Sequence, residues 1–413
     1  MQNKKKLTIV SVSGIHNFIG GAETFNSELC NGLVNRGHRV INLFATLSKK
    51  ETKHLTSDKM FFYELGKLNI FDLNIKGMIT LFFELKKIIK ISKPDILYLH
   101  LYLPPLVVAI FSNQFKLPKL VHTYGVWHKE FASVNYEGRY IKNKLTKLKY
   151  HLGWVTRNFF QKLMLNKADG IIALSQFHKH QIISNTGIAQ NKIRIISGGV
   201  NQKTFFPSTK TKNQVKTSMG FSEKKIVCIV SRIEPRKGIT EAIQAMSIVN
   251  KHEDTSLLII SPHYDCTFLH YLANCYEAVS KYKLGGKVFF KTGLSNDQLR
   301  PYYQMSDCFL MSSIALETFG LTIIEAMKSG TVVIGSRSGN IGDLVKAVDQ
   351  KLLVDKPTPE LLAKAILDFF NLPSSEKNKM YKKSVSLAKT FDWNVKSKEL
   401  ENYFYQILDE FYS

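Results

Sequence analysis

The chain has 413 residues, 44% hydrophobic and 22% charged, enough for two or three packed domains and incompatible with wholesale disorder or with collagen-, mucin- or prion-like architectures. Its 57 Lys and Arg against 33 Asp and Glu leave a formal charge of +24, a balance that attracts nucleic acid, anionic lipid or acidic small molecules. Residues 1–200 carry 29 basic and 11 acidic side chains, hence +18 of that total, so the two halves are expected to face different partners.

Five cysteines, Cys30, Cys228, Cys266, Cys275 and Cys308, form no C-x-x-C pair, and a reducing cytosol is the expected compartment. Lys4 to Lys6 followed by Leu7 to Ile15 superficially resembles a signal peptide, but the apolar stretch is short and β-branched and reads as a first strand. The longest apolar run, Ile96 to Phe111, contains His100, Pro104 and Pro105 and falls short of the ~18 apolar residues of a membrane-spanning helix.

Strand-like apolar runs then alternate with stretches of helical period, the pattern of parallel sheets with crossover helices. Leu7 to Ser13 is followed by Ala22, Phe25, Leu29 and Leu33 at helical spacing, a helix stopped by Arg36-Gly37-His38. Arg39 to Phe44, Ile96 to His100, Leu120 to Thr123, Gly170 to Leu174 and Ile193 to Ile196 read as further strands of a first domain, 1–207. A polar Lys/Thr/Ser-rich stretch, 208–218, reads as a linker. A second domain, 219–390, repeats the alternation from Lys225 to Ser231 through Ser256 to Ile260, Val288 to Lys291, Cys308 to Met311 and Val332 to Gly335. A C-terminal helix is expected over 391–413.

Three constellations carry chemistry. Gly20-Gly21-Ala22-Glu23 lies between the first strand and first helix, where small residues let backbone amides approach an anion; taken alone, these residues read more readily as a plain tight turn. Neither a G-x-G-x-x-G fingerprint nor a P-loop is present. Ser231-Arg232-Ile233-Glu234-Pro235-Arg236-Lys237-Gly238 places three cations beyond a strand's carboxyl end, where open α/β sheets bind ligands, and a diphosphate is the natural counter-ion; the alternative is a solvated basic loop. Glu317-Thr318-Phe319-Gly320-Leu321, with Glu325 following, sets a loop carboxylate and a helix carboxylate around a helix start. There the amides of Phe319, Gly320 and Leu321 can meet a phosphate; a surface Glu with a capping Glu is the bland alternative.

Taken together, these motifs resemble those of the glycosyltransferase family 4 enzymes, retaining transferases of the GT-B fold. The likeness continues through Arg36 to Val40, Pro94-Asp95-Ile96, His122-Thr123-Tyr124-Gly125, Ala168-Asp169-Gly170 with Ser175, Ser197 to Asn201, and Phe206-Pro207. The resemblance implies an α/β chain of two Rossmann-like domains facing a central cleft, with a nucleotide-diphosphate sugar as donor. Arg232 and Lys237 would hold the diphosphate, Glu325 the ribose and Glu317 the transferred sugar. Gly20 and Gly21 would close over the phosphates, and His122 would contact the sugar near the reacting carbon. It also implies a front-face reaction without cofactor or metal, in keeping with the absence of an Asp-x-Asp motif, zinc spacing or a calcium loop. His16, His100, His128, His178 and His180 have no comparable support. The chain departs from the family at Ser261 to Asp265, where relatives carry a Gly-rich turn, and at Ser338 to Asp343, which bear on donor choice.

Arg139 to Lys167 holds eight Lys and Arg and no acid, interleaved with large apolar residues. It reads as a segment lying on an anionic bilayer or as a core helix with a solvated basic face; nucleic acid is not expected, for lack of a binding motif. The expected setting is bacterial surface polysaccharide or glycolipid assembly, with a saccharide or lipid-linked acceptor, on the cytoplasmic side and peripheral to the membrane. The rival readings are another GT-B enzyme, such as an epimerase or phosphorylase, and a non-catalytic partner subunit.

Overall fold

The computed structural model describes residues 5–15, 20–45, 56–57, 60–64, 75–134, 144–221, 224–262 and 269–413. It divides into two compact units, residues 1–198 with 393–413, and residues 199–392. His16, Cys266, His263 to Asp265 and Arg139 to Asn143 lie outside the described residues.

The first unit is built on an eight-stranded sheet. Its strands are β1 (Thr8–Ile15), β2 (Arg39–Ala45), β3 (Thr56–Ser57), β4 (Met60–Glu64), β5 (Ile96–His100), β6 (Lys119–His122), β7 (Gly170–Ala173) and β8 (Ile193–Ile195), in the order β3-β4-β2-β1-β5-β6-β7-β8. Every pairing is parallel except β3 with β4. β1 sits in register between Val40 and Ile96 at Ile9. Helices Ile75–Ser92, Leu103–Ile110 and Lys144–Asn166 share one apolar core against this sheet. The run Ile96 to Phe111 is therefore a strand followed by a helix, with Pro104 and Pro105 in the first turn, where a missing N–H costs nothing.

The second unit carries β9 (Lys225–Val230), β10 (Thr255–Ser261), β11 (Val288–Thr292), β12 (Cys308–Met311), β13 (Val332–Ser336) and β14 (Leu353–Val354), all parallel, in the order β11-β10-β9-β12-β13-β14. Counted within the unit this is 3-2-1-4-5-6, the doubly wound order, and strand order reverses between β9 and β12. All seven β10 residues are buried, as a parallel strand covered on both faces requires.

Two sequence expectations are corrected. Residues 208–218 are not a free linker: Thr211 and Gln214 form a reciprocal cap on the helix Lys212–Ser218, Val215 is buried, and Lys216 Nζ lies 2.7 Å from Asp307 Oδ2. The polar composition reflects capping and ion pairing within the second unit. The unit boundary accordingly falls at 198–199, before the expected 207. The last helix, Trp393–Tyr412, belongs to the first unit, where Trp393 packs edge-on to Phe25 at 5.3 Å and Glu401 bonds Arg36 at 2.7 Å and His38 at 2.8 Å. The two-residue strands β3 and β14 lay below the length at which a strand is readable, and β4 (Met60–Glu64) was not read.

Candidate active site

The loops that follow β9 and β12, at the point where strand order reverses, bring the second unit's predicted residues together. Beyond β9 the chain turns through Arg232 and Glu234 into a single 3-10 turn, Pro235–Lys237, and enters the helix Ile239–Val249 at Gly238. Gly238 has φ +66°, and a β-carbon there would stand 2.2 Å from the Ser312 carbonyl oxygen, so only glycine fits. That close approach fastens the two loops. Ile314 N donates to the Arg236 carbonyl at 2.9 Å, and Ser312 Oγ donates to the Lys237 carbonyl at 2.9 Å.

Glu317 is the hub. Its Oε1 accepts from Lys237 Nζ at 2.5 Å, Ser313 Oγ at 3.0 Å and Arg236 Nη1 at 3.3 Å. Burial pushes the Glu317 carboxyl up, but the Lys237 and Arg236 charges, with the hydrogen bonds from Lys237 and Ser313, outweigh it and hold it down to about 2. Lys237 is pushed below its ordinary value by burial and by Arg236, against the pull of Glu317 and Glu234. Glu234, almost wholly buried, ties the cations from behind: its Oε1 lies 2.7 Å from Arg236 Nε and 3.3 Å from Arg232 Nη2.

The Glu317 loop is fixed from β13 as well. Glu317 N donates to the Ser338 carbonyl and Asn340 N to the Glu317 carbonyl, at 3.3 and 2.8 Å, while Asn340 Nδ2 donates to the Phe319 carbonyl at 2.9 Å. Ser336 Oγ and Ser338 Oγ each donate to the Ser313 carbonyl at 2.7 Å. The departure at Ser338 to Asp343 is thus the scaffold that carries Glu317. Phe319 is buried edge-on to Phe391 at 5.7 Å, and Gly320, φ +100°, opens the helix Leu321–Lys328. One turn on, Glu325 Oε2 accepts from Tyr303 Oη at 3.0 Å; burial raises its carboxyl to about 7 in spite of that bond.

Arg232, Lys237, Glu317, Gly320, Leu321 and Glu325 therefore lie on adjacent loops at one end of one sheet. Sequence reasoning missed Glu234, Ser313, Tyr303 and Asn340. Only Glu234, an acid inside a basic run, carried a signal that could have been read.

In the first unit, Gly20 and Gly21 open the helix Gly21–Asn35, with Gly20 in extended backbone. His122 ends β6 with no exposed surface. Its Nδ1 is 2.6 Å from Tyr98 Oη, its ring stacks on Tyr124 at 4.6 Å, and its Nε2 has no hydrogen-bond partner. Burial pushes it well below an ordinary histidine, so the ring is neutral. His100 and His178 are held down to about 3 by the same cause and are bonded within the fold. His180 is exposed. The described cysteines, Cys30, Cys228, Cys275 and Cys308, are free and buried.

Two family models match: "Glycosyltransferase Family 4" over residues 19–204 and "Glycosyl transferases group 1" over residues 211–386. Mannosylfructose-phosphate synthase of Agrobacterium fabrum is 26% identical over 239 residues, 56% of this chain and 50% of that protein. The chain spans about half the length of the first curated relatives it matches. Sucrose-phosphate synthase from Thermosynechococcus elongatus superposes with a TM-score of 0.81 at 20% identity, covering 98% of this chain and 100% of that one. Anabaena HepE in complex with UDP-glucose superposes at 0.73 with 16% identity, covering 97% and 100%. With its two Rossmann-like units of the GT-B class and family models matching both, the chain belongs to glycosyltransferase family 4.

Proposed function

We propose that the chain transfers a sugar from a nucleotide-diphosphate sugar to an acceptor hydroxyl with retention of anomeric configuration. The observation that carries the proposal is the convergence of Arg236 and Lys237 within 3.3 Å of one carboxylate oxygen of Glu317, at the strand-order reversal of the second unit. A diphosphate meets Arg232 and Lys237 there, with the helix start at Phe319, Gly320 and Leu321 offering amides to its oxygens. Glu317 accepts from the sugar hydroxyls and Glu325 from the ribose. His122, expected beside the reacting carbon, is instead closed off: its ring has no exposed surface and packs on Tyr98 and Tyr124.

In the reaction the bond between the anomeric carbon and the diphosphate oxygen breaks, and a bond to the acceptor oxygen forms on the same face. The acceptor proton passes to the departing diphosphate. Negative charge grows on that leaving group, and fixed cations stabilise it with little reorganisation, the task a metal performs elsewhere. HepE, whose structure holds UDP-glucose, supports a nucleotide-sugar donor.

For the acceptor side we propose a lipid-linked saccharide met at an anionic membrane. No helix of the described residues is long and apolar enough to cross a bilayer. Helix Lys144–Asn166 instead exposes Leu148, Leu152, Val155 and Phe159 along one stripe, and helix Ile75–Ser92 exposes Ile75, Ile79 and Phe83. Both pack on the helix Leu103–Ile110, and Lys86, Lys90, Lys149 and Lys162 lie exposed on the same two helices, an arrangement suited to anionic headgroups.

A binding screen of nucleotide sugars followed by turnover tests the reading. Lys237→Ala is expected to lose at least about 100-fold in turnover. A chain that binds a donor but transfers to no acceptor would support the partner-subunit alternative instead.

A further inference from the structure

The helix Lys212–Ser218, expected to be a linker, delivers two lysines to the amino ends of β9, β12 and β13, the end of the sheet opposite the Glu317 loops. A cavity of about 170 Å³ opens there, and Lys212, Lys225 and Lys377 line it together with Asp307, Phe370 and Tyr381.

Its charge is unbalanced. Asp307 is the only acid in the lining, and its Oδ2 is already engaged by Lys216 Nζ and by Ile226 N, each at 2.7 Å. Lys212, Lys225 and Lys377 make no ion pair among the described residues. Lys212 Nζ donates to the Ser306 carbonyl, Lys377 Nζ donates to the Phe370 carbonyl at 2.7 Å, and Lys225 Nζ stands 5.6 Å from the Phe370 ring centroid. Each ammonium group carries three donors, so these contacts leave donors unspent on all three. Burial lowers Lys212 below its ordinary value, with Asp307 pulling the other way and Lys216 and Lys225 adding to the fall. Burial likewise lowers Lys377, as does Lys225, against Asp307 and Glu253. The cations thus work against one another in a partly desolvated hollow, and an anion is what would neutralise them.

We infer that this cavity is a binding site for a compact phosphate dianion, inorganic phosphate or a phosphate monoester, separate from the diphosphate site at the other end of the sheet. The hollow is large enough for one phosphate group. The Phe370 and Tyr381 rings would wall off one side of it.

The test is calorimetric titration of the full chain at constant ionic strength, with inorganic phosphate in one arm and a sugar monophosphate in the other. An Arg232→Ala background reduces the donor-side contribution. The expected result is saturable binding that survives Arg232→Ala and weakens at least about tenfold in Lys212→Gln with Lys377→Gln, as loss of two charge-assisted donors requires. Asn378→Asp, which adds a carboxylate to the lining and removes none of the cations, should weaken it similarly and guards against misfolding of the double variant. Tighter binding of the monophosphate identifies an ester as the ligand class, and tighter binding of the free ion identifies phosphate itself. Binding that Lys212→Gln with Lys377→Gln leaves intact, or no saturable binding in either arm, would overturn the inference. Because the readout is binding and not turnover, failure of the transferase reading leaves this result standing, and the reverse.

Discussion

Replacing Glu317 by Gln removes the carboxylate that both Lys237 and Arg236 contact directly, leaving Glu234 behind them, while keeping the shape of the side chain. In the folded chain burial alone would raise this carboxyl, but the two cations and the Lys237 and Ser313 bonds bring it from its ordinary 4.5 to about 2. That difference corresponds to about 3 kcal/mol of folded-state stabilisation at neutral pH. A carboxyl depressed in this way contributes fully above about 4.5 and loses its contribution as pH falls toward 2. The variant should therefore melt about 6–12 °C lower at pH 7, at about 2–4 °C per kcal/mol for a unit of this size, and should lack that part of the acid-side loss of stability. A bound diphosphate restores negative charge beside the freed cations, so saturating nucleoside diphosphate should recover much of the deficit. Turnover should nonetheless fall at least about 100-fold, because a neutral amide replaces the charged acceptor proposed for the sugar hydroxyls. Melting scans with and without nucleotide, set beside initial rates, separate these effects. A variant with wild-type turnover, or one whose diphosphate affinity collapses together with its rate, would refute the division of labour between Glu317 and the cations.

Glu325 behaves in the opposite sense: burial has raised it to about 7, against the Tyr303 bond, so the stability it confers is present below about 4.5 and is lost as pH rises through 7. Glu325→Gln should flatten the fall in stability between pH 5 and 8, by about 2–3 kcal/mol in denaturant titrations; an unchanged pH profile would remove the assignment. Gly238→Ala forces a β-carbon to 2.2 Å from the Ser312 carbonyl at φ +66°, and should cost more than about 2 kcal/mol and lower donor affinity. If the variant melts and binds like wild type, the two loops are not fastened there. Flotation with phosphatidylglycerol and phosphatidylcholine vesicles should carry the chain at low salt and release it at high salt. Phe83→Ser with Phe159→Ser should reduce recovery about tenfold or more. Recovery equal on neutral vesicles, or none on anionic ones, would count against the membrane face.

Much of this arrangement was readable before any coordinates. β5 and β12 have the predicted ends, because buried parallel strands leave short, continuous apolar runs. The roles around Glu317 were less legible. Nothing in the spacing of Ser313, Ser336, Ser338 and Asn340 announces that they grip one loop, since they come from two separate chain segments and meet only when β12 and β13 pair. The polar stretch 208–218 misled for a related reason: lysines that reach a half-buried carboxylate and a carbonyl look, in sequence, like lysines that reach water. Conversely, the sequence around Lys144–Asn166 left open whether its apolar residues face a core. Solvent exposure of Leu148, Leu152, Val155 and Phe159 settles that question for these four.

The return of the final helix to the first unit has a consequence for how this polypeptide can be made and dissected. The backbone crosses from one unit to the other twice, at 198–199 and at 392–393. During synthesis Phe25, Arg36 and His38 each lack one of their contacts until residues 393–413 emerge to supply Trp393 and Glu401. A fragment cut at 198 has its whole sheet but lacks the helix that packs on it, whereas 199–392 is a complete unit. Attempts to express the halves separately should succeed for the second and yield an aggregation-prone first, unless residues 393–413 are grafted back or supplied as a peptide.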